Sequence, residues 1–221
     1  MKNCREVWYD SEKKVKVTIV DTSQASQSLV NAHLCGPVSG YFLSKALSAV
    51  SLLAEELTHE NESLSIQMKC EGPLGGFNVE CTGSGMLRGY TEKKVFDDYD
   101  GVIKQPVNYA FLKKIVGEKR IQVTKTVPGK ILSQGCSASL DSYLVSSLQR
   151  KAVIYTEAFV TDELKVEHSR GIMIECMPDC TDTQALYVKP RSLKATPRKI
   201  LDEIGLSKAE KKSSFALSFG C

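Results

Sequence analysis

The sequence has little of what marks a secreted or membrane-spanning chain. Residues 1–17 contain no apolar h-region and no small-residue cleavage site, so we expect no signal peptide. The most apolar window, residues 46–54, is interrupted by serines and is far shorter than a membrane-spanning helix, which needs about 20 residues. The sequence therefore predicts a soluble, cytoplasmic protein that has no membrane partner.

Motifs for nucleotide binding and catalysis are also missing. The glycine-rich residues 72–76 are not followed by the Lys-Ser/Thr pair of a phosphate-binding P-loop, and residues 83–89 lack the strand–turn–helix context of a dinucleotide site. We interpret both as turns, and we expect a protein that is not an enzyme. One enzymatic alternative stays open: a cysteine-dependent enzyme whose nucleophile is Cys35, Cys136 or Cys176.

The eight cysteines are scattered, with no C-x-C or C-x-x-C pair among them. A closed tetrahedral zinc site typically takes four ligands that are supplied as paired motifs. Cys176 and Cys180 stand four positions apart, and no second pair exists. We therefore expect no metal ligands and no cofactor in this chain, and we expect its thiols to be reduced.

The charge is small overall but unevenly spread. The 221 residues carry a formal net charge of +3, and hydrophobic and charged residues make up 42% and 25% of the chain, as in an ordinary soluble domain. Residues 187–221 hold eight basic and three acidic residues, which predicts a body over residues 1–186 and a basic linker region after it. That region leaves open a ribosome- or RNA-binding module. It lacks the interleaved aromatic residues of a base-stacking platform, so nucleic acid is not an expected partner.

The apolar periodicity changes between helix and strand without a regular βαβ order. Strand-like patterns cover residues 14–20, 64–70, 77–81, 86–91, 121–126, 152–160 and 171–177. Helices are predicted after Asp21 or Thr22, from about Val38 to Leu57, over residues 109–116 and 139–148, and over residues 197–204. The polar segment after Gly205 is expected to be mobile. The fold class is therefore α+β, with mixed or antiparallel sheets packed with helices and a helical linker tail.

Residues 64–91 read LSIQMKCEGPLGGFNVECTGSGMLRGYT and carry the most specific pattern in the chain. An apolar strand with Gln67 and Lys69 is followed by G-P-L-G, a second strand, and G-x-x-R-G-Y ending at Tyr90. This closely resembles the signature of the 33-kilodalton redox-regulated heat-shock chaperone family, Hsp33. The likeness extends more loosely over residues 14–206, where IVGEKRIQV has a single glycine in place of the family's glycine-rich segment.

The resemblance implies an ATP-independent, redox-regulated holdase that binds unfolding or oxidatively damaged proteins under oxidative stress. In the family, a C-terminal four-cysteine module holds zinc when reduced, and its oxidation destabilises the linker and uncovers client-binding surface. Here Cys221 matches the first of these ligands, and the sequence has no counterpart for the other three. We therefore expect no zinc module, and we name Cys221 as the redox candidate. The client-binding candidates are the outer face of the sheet and the linker residues Ile200, Leu201, Ile204 and Leu206. A homodimer is left open.

Overall fold

The computed structural model describes residues 3–70, 72–96, 107–116, 119–125, 149–180 and 183–219, and it describes 107–116 and 119–125 by their backbone. Within these residues the chain forms three α-helices and eleven β-strands. The helices are α1 (Ser23–His33), α2 (Pro37–Leu53) and α3 (Pro197–Glu203). The strands are β1 (Cys4–Asp10), β2 (Val15–Asp21), β3 (Glu62–Cys70), β4 (Gly76–Thr82), β5 (Met86–Thr91), β6 (Val107–Val116), β7 (Lys119–Lys125), β8 (Lys151–Val160), β9 (Val166–Cys176), β10 (Glu210–Ala216) and β11 (Ser218–Phe219).

These strands form two sheets. The five-stranded sheet has the order β10-β1-β2-β9-β8, and its pairs are antiparallel. The six-stranded sheet has the order β11-β5-β4-β3-β6-β7, and its pairs are antiparallel except for the short parallel pair β11–β5. Two such sheets packed with helices confirm the predicted α+β class.

Helix α2 lies between the two sheets. It contacts β2, β8 and β9 on one side and β3, β4 and β5 on the other. The sequence predicted one apolar stripe, but fourteen of the seventeen residues are buried, including four serines. Ser44 and Ser51 donate to the carbonyls of the preceding helical turn, and Ser48 shares a hydrogen bond with Thr22 at 2.9 Å. A helix that is buried on almost every side is a core element rather than an amphipathic surface helix. Nowhere in the described part of the chain is a helix long and apolar enough to cross a membrane.

The ends of the helices follow the signals in the sequence. Pro37 and Pro197 each occupy the first turn of a helix, where the proline lacks an N–H that would have no helical partner in any case. Helix α3 ends before Gly205, whose φ of 78° is the left-handed conformation that glycine adopts without strain. The Gly205 N–H donates to the Asp202 carbonyl at 3.1 Å, which closes the helix.

Two predictions of local structure are wrong, and a third cannot be compared with the structure. The helix predicted over residues 109–116 is wrong, because this backbone is strand β6 and pairs with both β3 and β7. The segment after Gly205 is not a mobile tail, because β10 pairs with β1 along six residues. Pairing between distant parts of the chain decides both cases, and local propensity does not report it. The helix predicted over residues 139–148 lies outside the described residues.

Candidate functional site

The outer face of the five-stranded sheet, opposite α2, is apolar. Side chains alternate along β2, so that Val15, Val17 and Ile19 lie on the outer face while Val20 joins the core around α2. We call the apolar side chains on the outer face the covered face, and each of them is at most 9% exposed. The covered face consists of Trp8, Val15, Val17, Ile19, Ile172, Ile174 and Cys176.

Residues 183–209, which we call the linker cover, lie over this face. The segment contains a 3₁₀ turn at Gln184–Tyr187 and helix α3. Its apolar side chains close the cluster, and burial of one Leu or Ile contributes about 1.5–3 kcal/mol. These side chains are Ala185, Leu186, Leu193, Ile200, Leu201, Ile204, Leu206 and Ala209.

The linker residues predicted as client-binding candidates all lie inside this cluster. Ile200, Leu201, Ile204 and Leu206 are at most 3% exposed. In this state they are core residues that seal the sheet, and no client can reach them. A role in client binding therefore requires the linker cover to move, and it stays a prediction.

Arg170 joins the sheet to the linker cover by direct hydrogen bonds. Its Nε donates to Asp21 Oδ2 at 3.0 Å. Its Nη1 donates to the carbonyls of Leu193 and Lys194 at 2.9 and 2.8 Å. One guanidinium on β9 thus fixes the loop that precedes α3, and hydrogen bonds from a charged donor are stronger than neutral ones.

Glu157 on β8 holds the same loop from the other side. Its carboxylate accepts from the Leu193 N–H at 2.5 Å and from Ser192 Oγ at 3.2 Å. His168 Nε2 lies 3.3 Å from Glu157 Oε1, and the imidazole stacks on Phe159. Burial lowers the pKa of His168, and the nearby charge of Lys194 lowers it further, so the ring is neutral at neutral pH.

Basic residues along the linker region contact the body at the rim of the covered face. The Arg198 guanidinium lies over the Trp8 ring, 5.0 Å from its centroid. Lys208 pairs with Glu12 at 2.7 Å, and Lys211 pairs with a Glu6 carboxylate oxygen at 2.6 Å. Exposed pairs of this kind contribute little stability.

The cysteines proposed as nucleophiles do not gain the environment that activates a thiol. The thiolate is the reactive form, and burial disfavours it. Cys35 is 1% exposed, and burial raises its pKa. Burial likewise raises the pKa of Cys81 to about 12. Cys176 is buried in the covered face, and Cys136 lies outside the described residues.

No metal-binding cluster forms within the described ranges. Over residues 3–70, 72–96, 149–180 and 183–219, no three His, Cys, Asp or Glu side chains gather closely enough to hold an ion. Cys221, the redox candidate, lies outside the described residues. The side chains at hand do not fit a closed zinc site, which requires four ligands.

The polar residues that hold the linker cover carry only weak signals in the sequence. Arg170 carries a detectable signal, since it is a charged residue directly before the apolar part of β9, and a charge that is partly buried there implies a partner. Glu157 carries a weaker signal of the same kind in β8. Trp8, the single tryptophan, was missed because strand β1 was not predicted.

Comparison with known proteins gives one consistent family. The family model described as "Hsp33 protein" matches residues 8–216. A relative from Aquifex aeolicus named 33 kDa chaperonin is 22% identical over 204 residues, which cover 88% of this chain and 62% of the relative. A relative of the same name from Synechococcus sp. is 25% identical over 178 residues, which cover 76% of this chain and 54% of the relative. This chain therefore matches about 54% to 62% of the length of these two proteins.

A solved structure has the same fold. The crystal structure of the 33 kDa chaperonin from Thermotoga maritima matches with a TM-score of 0.82 and covers 100% of this chain and 81% of that one. The two sequences are 17% identical. At that identity the match demonstrates the fold and carries no detail of the site.

Proposed function

This chain belongs to the Hsp33 family, and from that premise we propose that it is a holdase chaperone, which binds unfolding proteins without ATP and catalyses no reaction. The observation that carries the proposal is the covered face: an apolar sheet surface sealed by residues 183–209 of the same chain. A chaperone of this kind needs apolar surface that is available on demand, and a large exposed apolar patch marks an interaction site.

In the proposed mechanism, an unfolded client replaces the linker cover on the covered face. In the closed state the linker cover buries the apolar side chains of the sheet, so the protein stays soluble. When the cover moves away, the covered face and α3 offer apolar surface to an unfolded segment of a client. The client regains part of the burial energy that opening costs, and each large side chain re-covered contributes about 1.5–3 kcal/mol.

Few polar contacts hold the loop before α3 to the sheet, so few of them have to break when the linker cover opens. Outside its apolar contacts, the loop before α3 is held by the hydrogen bonds of Arg170 and Glu157. Opening also uncovers the apolar cluster, which is costly, so we expect the open state to be rare until heat, oxidation or a client favours it. Clients of the proposed chaperone are unfolded or oxidatively damaged proteins.

Redox control is the finer part of the proposal. The family resemblance implies an oxidation-driven release of the linker, with Cys221 as the remaining candidate sensor. We assign no step to zinc, because the described residues gather no ligand set for it. We also propose a cytoplasmic location, and a homodimer stays part of the proposal without a described interface.

The proposal is tested by light scattering from a client enzyme that unfolds on heating. This chain is added reduced and, separately, after peroxide treatment. We expect suppression of aggregation in both states if the linker cover opens thermally, with more suppression after oxidation if a cysteine senses peroxide. No suppression in either state, at a severalfold molar excess of a correctly folded chain, contradicts the holdase assignment.

A further inference from the structure

Two thiols stand on either side of a tight turn at the end of strand β9. Cys176 is the last residue of the strand, and Cys180 follows after three residues. The Cys180 N–H donates to the Met177 carbonyl at 3.1 Å, which closes a four-residue turn. This turn spans Met177 to Cys180 and holds the Cα atoms of these two residues within about 7 Å, so the chain reverses directly after Cys176.

Both cysteines contact the apolar cluster of the covered face. Cys176 belongs to the covered face, and the half-buried Cys180 packs against the same apolar cluster. The two side chains therefore pack in one apolar cluster and are separated along the chain by the turn. A disulfide needs Cα atoms about 4.4–6.8 Å apart and Cβ atoms that face each other, a separation that residues four positions apart can reach where the chain reverses.

Cys180 and Cys176 differ in their exposure to solvent. In a stepwise oxidation the more exposed thiol reacts with the oxidant first, and the buried thiol reacts second. Cys180 is partly exposed and can meet an oxidant, while Cys176 is 9% exposed and lies behind it. Cys35 and Cys81 are buried, and burial raises the pKa of each, so they are less available as thiolates.

We propose that Cys176 and Cys180 are a peroxide-sensitive dithiol that forms an intramolecular disulfide beneath the linker cover. The Cys180 thiolate attacks a hydroperoxide oxygen, the O–O bond breaks, and with hydrogen peroxide a sulfenic acid and hydroxide are formed. Once local opening exposes the buried Cys176 and its thiol loses a proton to water, the thiolate attacks the Cys180 sulfur, the S–O bond breaks, and the hydroxyl leaves as hydroxide. The protons of both thiols end in water, so two thiols lose two electrons while one peroxide becomes two waters.

The site places this chemistry next to the linker cover. The turn leads toward Gln184–Tyr187, whose Ala185 and Leu186 pack in the same cluster as both cysteines. This consequence, a cover whose packing depends on the redox state of the pair, rests on the proposed holdase function. The disulfide itself does not.

Peptide mass mapping of the full chain tests the disulfide. Trypsin cleavage after Arg170 and Arg191 releases residues 171–191, which contain both cysteines in one peptide. After hydrogen peroxide treatment and alkylation under denaturing conditions, we expect this peptide to lack both alkyl groups and to weigh about 2 Da less than the unmodified dithiol. Oxidation of Met173 or Met177 in the same peptide adds about 16 Da each, so the two reactions are distinguished.

The variants Cys176→Ser and Cys180→Ser must each abolish the disulfide form of the peptide. Cys4→Ser is the matched control, since Cys4 is also partly exposed but lies at the start of β1 and outside this peptide, and it must leave the disulfide unchanged. Two alkylated cysteines in the peroxide-treated wild type overturn the proposal, as does a disulfide that links two chains. Because no client enters the measurement, a chain that forms the disulfide but fails to suppress aggregation refutes only the holdase function.

Discussion

At the scale of single residues, the linker cover depends on a few polar side chains. Arg170 donates to two carbonyls of the cover and to Asp21, and Glu157 accepts from the same loop. A buried group that loses its partner costs more than the net gain of forming the pair, so removing either side chain has a disproportionate effect. The apolar residues of α3 supply most of the burial, while these polar groups fix the register of the loop.

Arg170→Gln removes the charged donor and shortens the side chain. We expect a loss of about 1–3 kcal/mol in the free energy of unfolding, because the carbonyls of Leu193 and Lys194 lose a charged donor. We also expect faster proteolysis within residues 187–209. Lys212→Gln is the control, because the exposed Lys212 pairs only with the neighbouring Glu210 among the described contacts. Equal stability and equal proteolysis in the two variants would contradict the anchoring role.

His168 gives the stability of the fold a defined pH dependence. Burial lowers the pKa of His168 in the folded state, and the charge of Lys194 and then that of Arg170 on the same strand lower it further. Glu157 on the adjacent strand raises this pKa and partly offsets the other effects. A depressed imidazole pKa means that the unfolded chain binds the proton more readily. Stability is therefore retained above about pH 6.5, the ordinary pKa, and is lost as the pH falls below it.

Replacing His168 by Gln removes this titration. We expect the variant to lose less stability than the wild type when the pH falls from 7 to 5, as measured by urea unfolding at each pH. The difference between the two proteins at pH 7 is subtracted, so that packing changes do not enter. Parallel pH profiles would show that His168 does not titrate against the fold.

At the scale of elements, glycines in two turns report different physical demands. Gly85 has a φ of 83°, and a Cβ there would lie 2.4 Å from the Ala216 carbonyl oxygen at the junction of β5 and β10–β11. Gly205 has a φ of 78°, but a Cβ there would lie 3.9 Å from Lys13 Nζ, which is an ordinary van der Waals contact. The pair therefore separates backbone strain from steric overlap.

Gly85→Ala is expected to destabilise the protein clearly more than Gly205→Ala. The second variant carries the left-handed backbone cost alone, about 1 kcal/mol, while the first also forces apart the backbone of β10–β11. Thermal unfolding of both variants provides the comparison. Equal costs would mean that the contact with Ala216 relaxes freely.

Helix α3 is the element on which the sealing of the sheet depends. Leu201→Ala is expected to cost about 2–5 kcal/mol, since Leu201 is fully buried among the covered face. Binding of a hydrophobic dye should rise as the cover opens. Asp202→Ala, at an exposed position of the same helix, is the control. It should change the free energy of unfolding by no more than about 0.5 kcal/mol and leave dye binding unchanged. Dye binding that does not rise in Leu201→Ala would show that α3 does not seal the face.

At the scale of the whole molecule, the parts predicted correctly are those with local signals. Helix α2, the β3–β4 hairpin and α3 each carry a periodicity and end signals within their own residues. The closure of the sheet by β10 was not predictable in this way. Glu210–Ala216 is exposed along its whole length and shows no alternation, and its partner β1 lies about two hundred positions away in sequence.

The covered face was hidden for a related reason. The sequence shows that β2 and β9 are apolar, but it does not show whether the second apolar face meets a helix, another sheet or solvent. The apolar pattern at the end of the linker marked Ile200, Leu201, Ile204 and Leu206 as important. It did not show that these side chains pack against the sheet. Their burial turns a candidate binding surface into the part of a cover that must move.

The central claim is that clients displace the linker cover, and hydrogen–deuterium exchange of the chain with and without an unfolding client tests it most directly. The amide of Ile204, at the C-terminal end of α3, donates to the Ile200 carbonyl. We expect it to be protected from exchange while the cover is closed. With client bound, we predict faster exchange within residues 197–209 as the cover leaves the sheet, and unchanged exchange in α2 as the internal reference. Unchanged or slower exchange over residues 197–209 in a client-bound chain would contradict the claim.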